Sequence, residues 1–318
     1  MTDSEPLRPL IKFDLDPEIE AFIETSLRVS SNLSTDGSIE QQRQSSDAAS
    51  RYFFHGYPDK VEAVDEKVVG RHGDINVRHY CYDGGNPDSD DQIVFMHGGG
   101  FILGSLDSHD DICAELCAGT GLDAVSIDYR LAPEFLHPVH LDDVADAYLK
   151  IWRTNSILVG VSAGANLAAA LCHRLKTSDT QPAGQVLIYP TLGGELFNLD
   201  SYTINANAPL LSSADVDFYR QVRCRDGETP VDDPEFYPLV AKDFNDLPPT
   251  VAFSADVDPL RDDSKLYVEK LKDAGVDAVW HNETGLVHSY LWARHTSSKA
   301  AESFRRIIGS INILTSSS

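Results

Sequence analysis

Positive charge is scarce in this sequence. Its 318 residues carry 26 lysines and arginines against 50 aspartates and glutamates, a formal net charge of −24, and lysine is the rarer of the two cations. A chain this acidic lacks the electrostatic footprint that holds a phosphate backbone, so nucleic-acid binding is excluded as a role. The same deficit repels anionic membrane surfaces. Long apolar runs are missing as well, none approaching the ~18 residues of a membrane span. The opening Met1-Thr2-Asp3-Ser4-Glu5 is acidic and lacks a basic-then-apolar export signal. A cytoplasmic location is therefore expected. The five cysteines (Cys81, Cys113, Cys117, Cys172 and Cys224) are odd in number and include no Cys-x-x-Cys. Neither a disulfide framework nor a zinc site is expected. Cys113 and Cys117, four apart on an expected helix, read as small buried hydrophobes. His137 and His140 lack a third ligand signal and read as structural. No metal and no cofactor are expected, and the chain shows no internal repeat.

What is present suits one large α/β domain with a smaller lid. Apolar strand patterns fall at 93–96, 124–128, 157–159, 185–189, 250–253 and 278–281, with helical patterns between them. Two earlier segments, 64–71 and 76–82, read as a hairpin around Gly73. The expected core is a mostly parallel sheet flanked by helices, with antiparallel strands at its start. The N-terminal region breaks this alternation. Asp16-Pro17 is a helix start, followed by Ile19, Phe22, Ile23 and Leu27 on one helical face. Residues 31–50 are polar and read as a loop or weak helix, and Tyr52, Phe53, Phe54 and Tyr57 form an aromatic cluster.

Residues 1–60 therefore read as the N-terminal part of a lid and 61–192 as the first part of the core. Residues 193–229 read as a second lid segment and 230–318 as the rest of the core. In the second segment Leu210-Leu211-Ser212-Ser213 begins a helix with Val216, Tyr219 and Val222 as its apolar stripe. A lid must touch what it covers, so Phe22, Phe218 and Tyr219, with Phe101 of the core, are candidate substrate contacts. The serine-rich C-terminal tail is expected to be disordered.

The motif that carries chemistry is Gly160-Val161-Ser162-Ala163-Gly164. It lies between the strand pattern Ile157-Leu158-Val159 and a strong helix former that starts near Asn166. This is the context of a nucleophile elbow, a strained strand-to-helix turn that thrusts a serine hydroxyl outward. The alternative is an ordinary N-cap serine. A serine hydroxyl needs a base, a group to orient that base, and donors for the oxyanion formed on attack. Upstream, His97-Gly98-Gly99-Gly100-Phe101 follows a strand, and three successive glycines leave backbone amides open to a ligand. Downstream, Asp256 and Asp258 leave the strand at 250–253, and chemistry alone does not separate them. Asp262 and Asp263 suit the acidic start of the next helix. The base is His288, in the loop after the last strand; His281 lies within that strand and His295 in the body of the expected final helix.

These segments, together with Asp128-Tyr129-Arg130-Leu131-Ala132-Pro133-Glu134, resemble the hormone-sensitive-lipase-like (bacterial type IV) esterases of the α/β-hydrolase superfamily. The resemblance runs from about Val68 to the C-terminus. It implies an α/β-hydrolase fold with a helical cap and cleavage of short- to medium-chain carboxylic esters through an acyl-serine intermediate. It also picks the aspartate before Pro259-Leu260-Arg261, which is Asp258, as the orienting acid. Ser162, Asp258 and His288 are then the catalytic residues. The amides of Gly99, Gly100 and Ala163 form the oxyanion hole, and the Tyr129 segment braces the glycine loop. The expected partner is a small-molecule ester, and since homodimers occur in the family, a homodimer stays open. Three positions depart from the family pattern: Val161, Ala165 and Ser289-Tyr290. The same chemistry serves an amidase, a formamidase or an acetyl-hydrolase, and a non-catalytic ligand-binding relative is a further alternative.

The charge of −24 leaves two readings open, adaptation to a salty medium and ordinary acidic solubility. Screening of self-repulsion predicts for the first that Tm rises with salt. A melting temperature that is flat or falls with added salt removes that reading.

Overall fold

The computed structural model describes residues 13–30, 37–86 and 89–316. Eight strands form one sheet: β1 (Val61–Gly70), β2 (Gly73–Tyr82), β3 (Asp91–Met96), β4 (Asp123–Asp128), β5 (Asn155–Val161), β6 (Gly184–Ile188), β7 (Thr250–Val257) and β8 (Ala278–Val287). Their order is β1-β2-β4-β3-β5-β6-β7-β8. β1 and β2 form the hairpin around Gly73, β2 pairs antiparallel with β4, and every later pairing is parallel.

Alternation along the central strands explains the layers. In β3, Ile93 and Phe95 face one side while Val94 and Met96 face the other; in β5, Ile157 and Val159 oppose Leu158. Strands buried on both faces read as continuous apolar runs. Helices α1 (Pro17–Val29), α2 (Ile39–Phe53), α3 (Asp110–Thr120) and, from the C-terminus, α9 (Ser298–Ser316) cover the first side. Cys113 and Cys117 of α3 are buried in that layer as free thiols. Helices α4 (Val139–Ile151), α5 (Ala163–Arg174) and α8 (Arg261–Asp273) cover the second. Between β6 and β7 run the one-turn α6 (Ser201–Ile204) and α7 (Ser213–Val222), the latter closed at its start by a Ser212–Asp215 capping box.

Several expectations need correction. Residues 39–53 form a full four-turn helix rather than a loop or weak helix, started by a Ser38–Gln41 capping box. The helix lacks an apolar period because it buries Gln42, Ser45, Ser46, Ala49 and Ser50 beside a single aromatic, Phe53. Residues 31–36 lie outside the described residues. His295 is in the turn before α9, not within the helix, and sits 2.7 Å from Glu115. Of the serine-rich tail, Ser316 closes α9, and Ser317 and Ser318 lie outside the described residues. Among the described residues no helix is long and apolar enough to cross a membrane.

The sheet's C-terminal edge gathers the chemistry-bearing residues, as open α/β sheets do. His97 follows β3, Ser162 follows β5, Asp258 follows β7 and His288 follows β8. β3 and β5 are neighbours with Met96 opposite Gly160, which sets the glycine loop beside the serine turn. Arg294, 4% exposed, bridges Asp111 and Glu115 and so ties α3 to the turn that precedes α9.

Candidate active site

Ser162 sits at φ 55°, ψ −115°, a conformation that L-residues rarely adopt. The turn survives because its neighbours are glycines with no room to be anything else. A Cβ on Gly164 would run into the Met96 and His97 carbonyl oxygens; one on Gly160 would meet the backbone of Gly164 and Ala165. The elbow is thus pressed directly against the end of β3. Val161, where the family usually has a polar residue, is 2% exposed and packs in the first-side core.

His288 Nε2 lies 3.0 Å from Ser162 Oγ, and its Nδ1 lies 2.6 Å from Asp258 Oδ2. All three residues are buried, with Asp258 at 0% exposure. Asp258 Oδ1 accepts the Leu260 amide at 2.8 Å, which fixes the carboxylate plane. Asp256 is occupied elsewhere: it accepts Asn282 Nδ2 and the Gly285 amide. Asp256 sits inside β7 at an irregularity of register between Ala255 and Val257, whereas Asp258 follows the strand. The rival His281 stacks on Phe253 at 4.9 Å within β8.

The glycine loop is braced from beneath. Tyr129 stacks on the buried His97 ring at 4.3 Å, and its hydroxyl donates to the His97 carbonyl at 2.8 Å. Burial pushes the His97 imidazole below its ordinary pKa, which suits a structural neutral ring. Arg43 of α2 donates to the carbonyls of Ile102 and Ala132 and pairs with Glu134. Gly99 and Gly100 take φ 122° and 59°. Among the described residues, the N–H groups of Gly99, Gly100 and Ala163 make no hydrogen bond to the protein. They remain available to an oxyanion.

A cavity of about 520 Å³ opens onto Ser162, Gly99, Gly100 and His288, a size ordinary for a small-molecule site. Of the expected contacts, Phe101 and Tyr219 line it. Phe22 and Phe218 do not: Phe22 packs on Phe53 at 5.4 Å in the core, and Phe218 packs beside Ile102 and Leu103. Residues before β1 and between β6 and β7 contribute to the wall, Leu27 and Ser46 from the former and Leu211 and Val216 from the latter. Sequence reasoning missed Asn205, whose amide donates to the carbonyls of Asp256 and Asp258. It also missed Tyr189, whose ring lies 4.7 Å from His288, and Trp292 in the cavity wall. None of these stands in a recognisable motif. Tyr290, a departure from the family pattern, is buried against Tyr189 and accepts the Ser303 hydroxyl. Among the described residues no group of three or more His, Cys, Asp or Glu side chains is arranged to hold a metal.

Comparison with known proteins places this geometry in a wider set. The profile of the alpha/beta hydrolase fold family matches residues 93–292. Esterase LipI of Mycobacterium tuberculosis is 32% identical over 300 residues, which cover 89% of this chain and 90% of that one. Carboxylic ester hydrolase LipN of the same organism is 32% identical over 248 residues, 73% of this chain and 65% of that protein. Among solved structures, the ester-hydrolase EH1AB1 from the metagenome of Lake Arreo, complexed with a derivative of bipyridine phosphonate, superposes with a TM-score of 0.86 at 26% identity. The match covers 94% of this chain and 98% of that one.

Close packing of the elbow on β3 makes a direct prediction. Gly164→Ala is expected to destabilise the fold by about 2 kcal/mol or more, read as a lower urea midpoint at constant slope. Gly309→Ala, in α9 with nothing within 4 Å of the added carbon, is expected to be neutral or slightly stabilising. Equal midpoints for the two variants would contradict the packing argument.

Proposed function

The chain belongs to the hormone-sensitive-lipase-like esterases of the α/β-hydrolase superfamily, and from that membership we propose that it is a serine carboxylesterase working through Ser162, His288 and Asp258. The observation that carries the residue assignment is the unbroken chain from Asp258 Oδ2 through His288 to Ser162 Oγ, with contacts of 2.6 and 3.0 Å, at the floor of the cavity. His288 Nε2 takes the serine proton as Oγ attacks the ester carbonyl. Asp258 holds Nδ1–H, so the ring presents the correct nitrogen and its imidazolium is stabilised. The free amides of Gly99, Gly100 and Ala163 receive the developing oxyanion. His288 then returns its proton to the leaving alcohol, and water repeats the cycle on the acyl-serine to release the acid.

The two segments 1–60 and 193–229 act as a lid in this reading, supported by the cavity residues that each supplies. A cavity of about 520 Å³ favours short to medium acyl chains. Ser162→Ala, folded as judged by circular dichroism, is expected to lose about 10⁴–10⁶ in kcat. Wild-type activity on p-nitrophenyl esters from acetate to palmitate should be concentrated at about eight carbons or fewer. Undiminished kcat in the variant would refute the assignment, and a maximum at palmitate would refute the acyl size.

A further inference from the structure

The esterase reading leaves one buried cation in the cavity without a task. Arg223 caps the C-terminus of α7, is 2% exposed, and lines the cavity that holds Ser162. Its guanidinium carbon lies 3.6 Å from the Phe101 ring centroid and 3.9 Å from that of Phe236. Both faces of the planar group are therefore covered by rings, and only its N–H edge is left for recognition. On that edge Nε and Nη2 are buried with no hydrogen-bond partner among the described residues. In the neighbouring loop Asp233 pairs with His137 and Glu235 with Arg174. The acids in the cavity wall are engaged too: Glu195 accepts from Tyr202 and Asp215 caps α7. Arg220, the other cation there, pairs with Asp217.

The surroundings repeat the pattern. His140, 0% exposed, has both ring nitrogens unpartnered, and His137 Nδ1 is unpartnered too. The two imidazoles pack on the same two rings that sandwich Arg223, His140 on Phe101 at 5.7 Å and His137 on Phe236 at 5.1 Å. Burial, reinforced by Arg223, holds His140 well below its ordinary pKa, so it is a neutral ring with one N–H to give. Burial also lowers the guanidinium, but only to about 10, so Arg223 stays charged at neutral pH. A desolvated cation with its donors unpaired is costly, and an anion brought to it relieves the cost. Carboxylate geometry matches the free guanidinium edge.

We propose that Arg223 is a specificity-determining residue that draws esters bearing a carboxylate into the cavity, the carboxylate meeting the guanidinium edge while the ester carbonyl meets Ser162. The proposal rests on the serine-esterase reading and adds the substrate class to it. Hydrolysis of such a substrate consumes one water across the acyl C–O bond and releases an acid and an alcohol, one of which carries the second carboxylate.

Two pairs of probes test this and distinguish the side that bears the charge. Monoethyl adipate against ethyl hexanoate places the carboxylate on the acyl side, and 4-acetoxybutanoate against butyl acetate places it on the alcohol side. In the wild type the anionic-to-neutral ratio of kcat/KM should exceed one in at least one pair. In Arg223→Gln that ratio should fall by about 10- to 100-fold, the range for losing a charge-assisted hydrogen-bond pair. Ratios at or below one in both wild-type pairs, or a ratio unchanged in the variant, overturn the proposal. If the variant does not fold, inhibition of wild-type ethyl hexanoate hydrolysis decides. Competition by adipate but not by 1,6-hexanediol supports the anion site, and equal effects of the two overturn it. Hydrolysis of the neutral esters that depends on Ser162 shows that the esterase reading stands even where the Arg223 proposal fails. Turnover of neither class overturns both.

Discussion

Everything at this site depends on the pressing of one strained turn against the end of a neighbouring strand. Ser162 holds a backbone conformation that costs about 1–3 kcal/mol, and it does so because β5 and β3 are hydrogen-bonded in register up to Met96 and Gly160. The elbow glycines let the turn nest on the Met96 and His97 carbonyls. That contact sets the serine hydroxyl and the glycine-loop amides at the same strand edge, so the proposed nucleophile and oxyanion donors are positioned by one packing event. Catalysis by preorganised dipoles requires that kind of rigidity, because donors that must reorganise during the reaction lose their advantage.

The rest of the molecule holds that edge still. Tyr129 grips the glycine loop through the His97 ring and carbonyl, and Arg43 reaches from α2 to the carbonyls of Ile102 and Ala132. Helix α2 is therefore part of the brace as well as of the cavity wall. On the far side of the cavity, Asn205 clamps the carbonyls of Asp256 and Asp258, and Asp256 in turn holds the Gly285 amide in the strand that leads to His288. Asp258 and His288 are thus fixed to each other through the backbone as well as through their own hydrogen bond.

What was readable beforehand follows from how local each cause is. The serine elbow and the glycine loop announce themselves because backbone strain demands glycine at set offsets, and the double-sided burial of β3 and β5 writes itself as apolar runs. Chemistry alone does not choose between Asp256 and Asp258; the resemblance picks Asp258 by its place before Pro259-Leu260-Arg261, and in the fold Asp256 lies inside β7, held by Asn282 and Gly285, while Asp258 follows the strand. Helix α2 reads as no more than a loop or weak helix because it buries serines and a glutamine where an apolar stripe would be expected. Phe22 and Phe218 read as pocket residues because an aromatic on an amphipathic helix has two places to go, and packing sends both to core clusters. Arg223 carried no signal at all. A charge at the end of an amphipathic stripe normally faces solvent, and only the tertiary meeting of Phe101 and Phe236 encloses it.

Covalent trapping tests the central claim that Ser162 is the nucleophile most directly. Diethyl p-nitrophenyl phosphate would be reacted with the wild-type chain and the product followed by intact mass and peptide mapping. Transfer of one diethylphosphoryl group to Ser162, with release of p-nitrophenolate and loss of ester hydrolysis in step, is the predicted result. Inactivation with the adduct on another residue, or full activity with no adduct at Ser162, would contradict it.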